Sequence, residues 1–159
     1  RSNDKHFTSL LPVLQPYFES MKKQIASLNS AQRLIDTYIE TVNSFLNRKT
    51  MRYSSRSGIM MFDHQDSEIN PDFLSSGEKH LLYLLSHALL AGSVGGILLI
   101  DEPEISLGIS WQRKLLRALL ECSGTESNSV QFVVASHSLQ VLSSEETVTI
   151  VTPEEVDHV

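Results

Sequence analysis

The sequence predicts an α/β fold, in which a parallel sheet with flanking helices is preceded by a helical segment. After Pro71, apolar helices and short apolar strands alternate along the chain, which is typical of a parallel α/β core. Before that point, apolar residues recur every three or four positions, the spacing of a helix. We therefore expect a helical insert over residues 1–48, a β-hairpin and linker over 49–70, and part of a larger core over 71–159.

Composition limits the class of protein. Of the 159 residues, 41% are hydrophobic and 20% are charged, the balance of an ordinary globular domain. The longest apolar runs fall far short of the roughly 18 residues that a membrane span requires, so we expect no membrane segment. The single cysteine, Cys122, and the lack of a leader-like start favour a cytoplasmic protein. Because the chain starts at Arg1, we expect it to be a piece of a longer polypeptide.

The N-terminal region has heptad-like spacing. Apolar residues step by threes and fours from Leu11 to Leu46, with Gln32 in a polar slot. Asn29 and Ser30 could cap a second helix, so the pattern fits one long helix as well as a two-helix hairpin. Since the register covers only about five heptads, we expect these helices to pack on their own domain rather than form a coiled-coil arm.

A turn-rich stretch over residues 54–58 separates Lys49–Tyr53 from Ile59–Asp63, which predicts a β-hairpin. The hairpin is locally basic, although the chain has a net charge of -6. Such a cluster is usually a solvated face, and contact with nucleic acid or a partner is the alternative. The basic residues are Arg48, Lys49, Arg52 and Arg56.

Five elements of the core follow from the apolar pattern. We expect helices over Glu78–Ala91 and Ile109–Glu121. The predicted strands are Ile97–Ile100, Val130–Ala135 and Thr147–Val151. The first of them consists of isoleucine and leucine throughout, which predicts burial on both of its faces.

The start of the first core helix carries a candidate phosphate site. Ser75 and Glu78 have the spacing of a capping box, and Gly77 lets the backbone approach a ligand closely. Free N–H groups at a helix N-terminus, together with the hydroxyls of Ser75 and Ser76, can bind a phosphate. By itself, the pattern is also that of an ordinary helix cap.

Two further candidates follow predicted strands. Asp101 and Glu102 end the first strand at the edge where open α/β folds bind ligands. Asp101 suits Mg²⁺, and Glu102 suits a base that orients a water for attack on a phosphate, although acidic residues also end strands for structural reasons. His137 follows the second strand and could donate a hydrogen bond to a terminal phosphate oxygen. A lone histidine at the end of a strand is usually structural. The case for a functional role of His137 therefore depends on its lying at the same edge of the predicted sheet as Asp101 and Glu102.

In this order, the motifs resemble the C-terminal half of an ABC-type ATPase head. Leu74–Lys79 look like the signature, Ile97–Glu102 like Walker B, Glu104–Gly108 like the D-loop and His137 like the switch histidine. The resemblance implies ATP and Mg²⁺ as cofactors and ATP hydrolysis as the activity. It implies catalytic roles for Glu102 and His137, a metal ligand in Asp101, and nucleotide binding by Ser75, Ser76, Gly77 and Glu78.

The particular residues found in these motifs narrow the choice among ABC-type ATPases. Glu78–Lys79 is similar to chromosome-maintenance and RecF-type heads, and Asp101–Leu107 followed by Trp111–Arg113 looks like overcoming-lysogenization-defect, Septu and retron-associated anti-phage ATPases. This implies a homodimer of heads that closes around ATP and gates an effector nuclease or toxin in defence. DNA repair or chromosome maintenance is one alternative, and a slowly cycling scaffold that restrains a toxic partner is another. A membrane transporter is disfavoured.

The sequence departs from the family pattern in three places. Ser76 stands where many relatives have Gly, and Gly108 stands where relatives often have His. The phosphate-binding Walker A pattern, Gly-x-x-x-x-Gly-Lys-Ser/Thr, does not occur in these residues. In the family this loop lies upstream of the signature, so we expect the fragment to be incomplete as an ATPase.

Overall fold

The structure is a computed structural model that describes residues 3–124, 130–143, 149 and 151, with the backbone alone over 3–13. The chain divides into two compact units, Arg1–Asp36 and Thr37–Val159. A single helix, α1, runs from Asn3 to Phe45. Residues 29 and 30 are helical, so of the two interpretations left open for this region, one long helix is correct.

The apolar residues of α1 differ in burial along the helix. In the first unit, five of them at heptad spacing are exposed: Leu14, Phe18, Met21, Ile25 and Leu28. In the second unit, Tyr38, Val42 and Phe45 are buried in the hydrophobic core. The last turns of α1, which belong to the second unit, therefore meet the expectation that this region packs on its own domain.

The predicted hairpin is confirmed. Strand β1 (Lys49–Ser54) pairs antiparallel with β2 (Gly58–Asp63), and Met51 lies opposite Met61. The segment expected as a linker adds a short third strand, β3 (Glu68–Ile69), antiparallel to β2. The side chain of Asn43 joins α1 to β1, because it donates to the carbonyl of Met51 (2.9 Å) and accepts from its N–H (2.7 Å).

The described residues from Pro71 onward form the predicted α/β core. A 3-10 turn (Pro71–Phe73) leads into α2 (Ser76–Val94), β4 (Gly96–Asp101), α3 (Ile109–Ser123), β5 (Val130–Ala135) and the short α4 (Leu139–Leu142). Strands β4 and β5 are parallel and pair over their whole length. The α/β class with a parallel sheet and flanking helices is thus confirmed. The last predicted strand, Thr147–Val151, lies outside the described residues except at 149 and 151.

Helices α2 and α3 pack closely against each other. A Cβ atom on Gly92 would stand only 1.8 Å from the carbonyl oxygen of Ser123, so glycine is required for this approach. Apolar residues at three- and four-residue spacing share one face of each helix, and several side chains of that face are fully buried. The largest of these side chains are Leu81, Leu85, Leu115 and Leu119.

The expectation that β4 is buried on both faces is wrong. Ile97 and Leu99 are 65% and 73% exposed, and Val133 of β5 is 47% exposed on the same side. Alternate residues point to opposite faces of a strand, and those of the other face, such as Ile100 and Phe132, pack on the hydrophobic core. The sequence has two apolar faces, but the described residues cover only one of them. We call Ile97, Leu99 and Val133 the open face of the sheet.

Over the residues that the structure describes, no helix is both long enough and apolar enough to cross a lipid bilayer.

Candidate functional site

The carboxyl ends of β4 and β5 bring three predicted site residues to one edge. Asp101 and Ala135 form the last pair of the two strands, and the N–H of Glu102 extends the ladder by donating to the carbonyl of Ala135 (2.8 Å). His137 follows Ala135 by two residues, and its Nε2 atom lies 3.9 Å from the Oε1 atom of Glu102. This distance is too long for a direct hydrogen bond, so both side chains keep polar atoms for a third group.

Asp101 lies on the open face of the sheet, because it alternates with Leu99 and Ile97 along β4. Its carboxylate is exposed. No group of three or more His, Cys, Asp or Glu side chains that could hold a metal ion occurs among the described residues. Mg²⁺ usually takes one or two protein carboxylates and completes its shell with water and phosphate oxygens, so the donor set at Asp101 fits this ion.

The backbone turns sharply after β4. Glu102 has a φ of 46° and Ser106 a φ of 63°, so two non-glycine residues occupy the left-handed region. The turn is closed by hydrogen bonds from the N–H of Ile105 to the carbonyl of Glu102 (3.1 Å) and from Leu107 to Glu104 (3.0 Å). Each such residue costs about 1–2 kcal/mol, and strain of this kind is concentrated at functional sites.

Glu104 is a residue of this edge that the sequence did not single out for a role. Its Oε2 atom accepts from the Oγ of Ser136 (2.8 Å), and its Oε1 atom accepts from the N–H groups of His137 (2.8 Å) and Ser138 (3.1 Å). Burial raises the pKa of Glu104, but these hydrogen bonds and one from its own N–H outweigh burial and hold the pKa below its ordinary value of 4.5. The carboxylate is therefore ionised at neutral pH.

A second chain of hydrogen bonds ties the same loop to α3. The Oγ of Ser138 donates to the Oε1 of Gln112 (2.7 Å), and the Nε2 of Gln112 donates to the carbonyl of Leu107 (2.8 Å). The turn after β4 and the loop after β5 are thus joined at two points.

The capping box predicted at the start of α2 is present. Ser75 Oγ accepts from the N–H of Glu78 (3.2 Å), and Glu78 Oε2 accepts from the N–H of Ser75 (2.6 Å). The same Oε2 atom accepts from Lys49 Nζ of β1 (2.7 Å). Glu78 is only 8% exposed, and its carboxylate holds the loop before α2. The nucleotide-binding role expected for it stays a prediction. Burial raises the pKa of Glu78, but Lys49 and Ser75 outweigh burial and lower it.

Gly77 makes a close backbone approach within the chain. It is buried, and a Cβ atom there would stand 2.4 Å from the carbonyl oxygen of Ser106. The glycine is therefore required for contact with the turn after β4, and the nucleotide-binding role expected for it stays a prediction. Ser75 and Ser76 are exposed beside it at the N-terminus of α2, where the helix dipole favours an anion.

The basic cluster of the hairpin is partly neutralised. Lys49 pairs with Glu78, and Arg52 pairs with Asp66 while its guanidinium lies 4.5 Å from the centre of the Phe62 ring. Arg48 contacts His64 at 3.5 Å. Two of the four cations thus have acidic partners, which weakens the case for a nucleic-acid surface here.

Comparison with known families agrees with this arrangement. Residues 2–143 match the family described as "AAA domain, putative AbiEii toxin, Type IV TA system". No curated protein matches the chain. The family match covers most of the chain, including the parallel sheet and the carboxylates at its edge. The chain therefore belongs to this family of AAA domains, which are nucleotide-binding domains of the ATPase type.

Proposed function

We propose that the chain is the part of an ABC-type ATPase head that acts on the terminal phosphate of ATP. The observation that carries this proposal is the convergence of Asp101, Glu102 and His137 at the carboxyl edge of β4 and β5. Asp101 binds Mg²⁺, Glu102 polarises the attacking water, and His137 donates a hydrogen bond to the terminal phosphate. Mg²⁺ would supply charge neutralisation on the phosphates.

The geometry supports this division of roles. Glu102 and His137 are too far apart to satisfy each other, and their side chains are 46% and 91% exposed. A polar group between or beside them can therefore reach both. Because phosphoryl transfer relies on positioning and charge stabilisation, two exposed polar side chains on a strained but well-anchored backbone suit it.

The phosphate-binding loop comes, in this proposal, from another segment of the same polypeptide. The open face of the sheet supports this part of the proposal, because Ile97, Leu99 and Val133 leave an apolar surface in the described residues. Parallel sheets are normally covered on both faces, so a second layer of helices carrying that loop would bury this surface.

Two heads close around ATP in this proposal. Ser75 and Ser76 stand exposed at an N-terminal helix end, where a partner's ATP could accept hydrogen bonds from them. Three large apolar side chains near the site in sequence are also exposed, as a surface buried only in a dimer would be. They are Ile105, Ile109 and Leu139.

The cycle of closing and opening gates an effector, a nuclease or toxin, in anti-phage defence. The family description supports this choice over DNA repair or chromosome maintenance, since it refers to a toxin and to a toxin–antitoxin system. The resemblance of residues 101–107 to Septu and retron-associated ATPases points the same way.

A Glu102→Gln variant tests the proposed activity. We define the complete ATPase as the polypeptide that carries both these residues and the phosphate-binding loop. In the complete ATPase, Glu102→Gln should bind ATP normally while turnover falls about 10²- to 10⁴-fold, the range for loss of a general base. Glu121→Gln is the matched control, because Glu121 pairs with Arg117 on the surface of α3. Wild-type hydrolysis rates in a folded Glu102→Gln protein would falsify the proposal.

A further inference from the structure

The structure joins two loops of the site through a single carboxylate. We propose that Glu104 is a positioning residue that sets the place of His137 relative to Glu102 by holding the backbone of the loop after β5. This inference rests on the ATPase function proposed above, because it concerns the reaction at the same site.

The hold on the loop involves three consecutive residues. One oxygen of Glu104 accepts from the N–H groups of His137 and Ser138, at 2.8 and 3.1 Å, and the other accepts from the hydroxyl of Ser136 at 2.8 Å. Hydrogen bonds to an ionised carboxylate are stronger and better defined than neutral ones. Three of them on adjacent residues leave the loop backbone little freedom.

The imidazole of His137 depends on this hold. Its side chain is 91% exposed, so packing does not restrict it as a buried core would. The backbone positions of the two residues then decide whether a rotamer of His137 can bring its Nε2 atom to the 3.9 Å from Glu102 that is seen here. Glu102 is fixed by the ladder bond to Ala135, and His137 is fixed by Glu104.

The turn and the loop are also joined through α3, which makes the hold resistant to rotation. Ser138 donates to Gln112, and Gln112 donates to Leu107 at the far end of the turn that contains Glu104. The turn after β4 is therefore joined to the loop after β5 at two places: near the start of the turn through Glu104, and at the end of the turn through Leu107 and Gln112.

Three substitutions separate positioning from simple loss of structure. Glu104→Ala removes all three acceptors, whereas Glu104→Gln keeps an oxygen for the two N–H groups and an amide that can donate to Ser136. Ser136→Ala removes the hydroxyl that donates to Glu104 and accepts from the N–H of Ser138 (3.0 Å), and it keeps the carboxylate. Glu121→Gln again serves as the control, since it removes an acid of equal size on the surface of α3.

The first readout does not need ATP. In NMR spectra of the 159-residue chain, the amide protons of His137 and Ser138 should resonate downfield and exchange slowly. In Glu104→Ala, the His137 amide should lose both features, and the Ser138 amide should lose part of them, because its N–H also donates to the Oγ of Ser136 (3.0 Å). Both amides should largely keep these features in Glu104→Gln and be unchanged in Glu121→Gln. Unchanged amide signals in a folded Glu104→Ala protein would overturn the proposal.

The second readout is catalysis by the complete ATPase. Glu104→Ala should lower kcat about 10- to 100-fold, as loss of an outer-shell partner does, while KM for ATP changes by less than about threefold. Glu104→Gln should keep most of the wild-type kcat. Ser136→Ala should lower kcat only about two- to fivefold, because only one of the three hydrogen bonds to Glu104 is lost. If the wild type is active and Glu104→Ala keeps its kcat, the positioning role is overturned and the ATPase function stands. If the wild type hydrolyses no ATP, the proposed function fails, and the amide signals alone report whether Glu104 holds the loop.

Discussion

The carbonyl oxygen of Ser106 occupies the space that a side chain at Gly77 would need, 2.4 Å from the ideal Cβ position. The N-terminus of α2 and the turn after β4 are therefore in direct backbone contact. Ser106 itself has a φ of 63°, so the turn reaches this contact in a conformation that few L-residues adopt. Since the same turn carries Glu104, the contact links the cap of α2 to the loop that holds His137.

Adding even a single methyl group at Gly77 should disturb this contact. In Gly77→Ala, the new methyl group meets a backbone carbonyl that cannot rotate away, so the free energy of unfolding should fall by about 1–3 kcal/mol, as in overpacked sites. Gly108→Ala is the control, because Gly108 has a φ of -66° and open space around its Cβ position. Denaturant unfolding monitored by circular dichroism measures both. Equal stability of the two variants would contradict the close approach.

The ion pair between Lys49 and Glu78 should contribute to stability and to its pH dependence. In Lys49→Met, a nearly buried carboxylate loses its cation, and the free energy of unfolding at pH 7 should fall by about 1–3 kcal/mol. The pKa of Glu78 is lowered in the folded state, so its contribution is present above the ordinary value of 4.5 and is lost as the pH falls through the folded-state pKa.

Urea unfolding between pH 7 and pH 3 checks both parts of this prediction. Below pH 4.5, wild type and Lys49→Met should become more alike in stability, because the carboxylate is progressively protonated in both. Lys114→Met is the matched control, since Lys114 is an exposed lysine on α3. A constant difference between wild type and Lys49→Met over the whole pH range would show that Glu78 is not the source of the effect.

Sequence reasoning found the parts of the site that follow local rules. The capping box of Ser75 and Glu78 is a four-residue pattern, and Asp101 and His137 share an edge because both follow parallel strands. The role of Glu104 could not be read in the same way. It depends on contacts with residues 32 to 34 positions away. The sequence signals are one more acid after Asp101–Glu102–Pro103 and the resemblance of Glu104–Gly108 to the D-loop, and neither predicts these contacts.

Two other expectations depend on partners that the residue type alone does not identify. The all-apolar β4 predicts cover on both faces, but cover is supplied by other elements, and a strand's own residues do not say whether these are present. Gly77 predicts a close backbone approach, and the structure shows one to Ser106, because glycine serves any close contact. The contact of Gly77 with a nucleotide stays a prediction.

His137 should affect turnover more than nucleotide binding. In the complete ATPase, His137→Ala should lower kcat about 10²- to 10³-fold, the range for loss of one donor to developing charge, with a small change in KM for ATP. The reason is that its exposed imidazole strengthens its hydrogen bond as charge builds on the phosphate in the transition state. His87→Ala, at an exposed histidine of α2, is the control. A higher KM with unchanged kcat would instead assign His137 to ground-state binding.

Ser75 should act on the nucleotide of a partner head and not on that of its own. Its backbone and hydroxyl are already ordered by the capping box with Glu78, so the exposed N-terminus of α2 is presented as a fixed surface. Ser75→Arg in the complete ATPase should block closure of two heads by bulk and by charge next to the positive helix end. Hydrolysis should then fall to background, while each protomer still binds ATP through its own phosphate-binding loop. Equilibrium binding of a fluorescent ATP analogue and phosphate release measure the two effects separately.

Mixing this variant with a second one decides whether the site is shared. A variant that lacks the phosphate-binding lysine is inactive alone, but a heterodimer with Ser75→Arg contains one composite site whose Ser75 and phosphate-binding loop are both intact. Activity should therefore return in mixtures, up to about a quarter of the wild-type rate per head if subunits pair at random and each complete site fires independently. The control is a mixture of the Lys114→Met protein with the same phosphate-loop variant, because neither subunit then carries a change at the N-terminus of α2. If subunits exchange and activity does not return, Ser75 acts within its own head or the two sites must fire together.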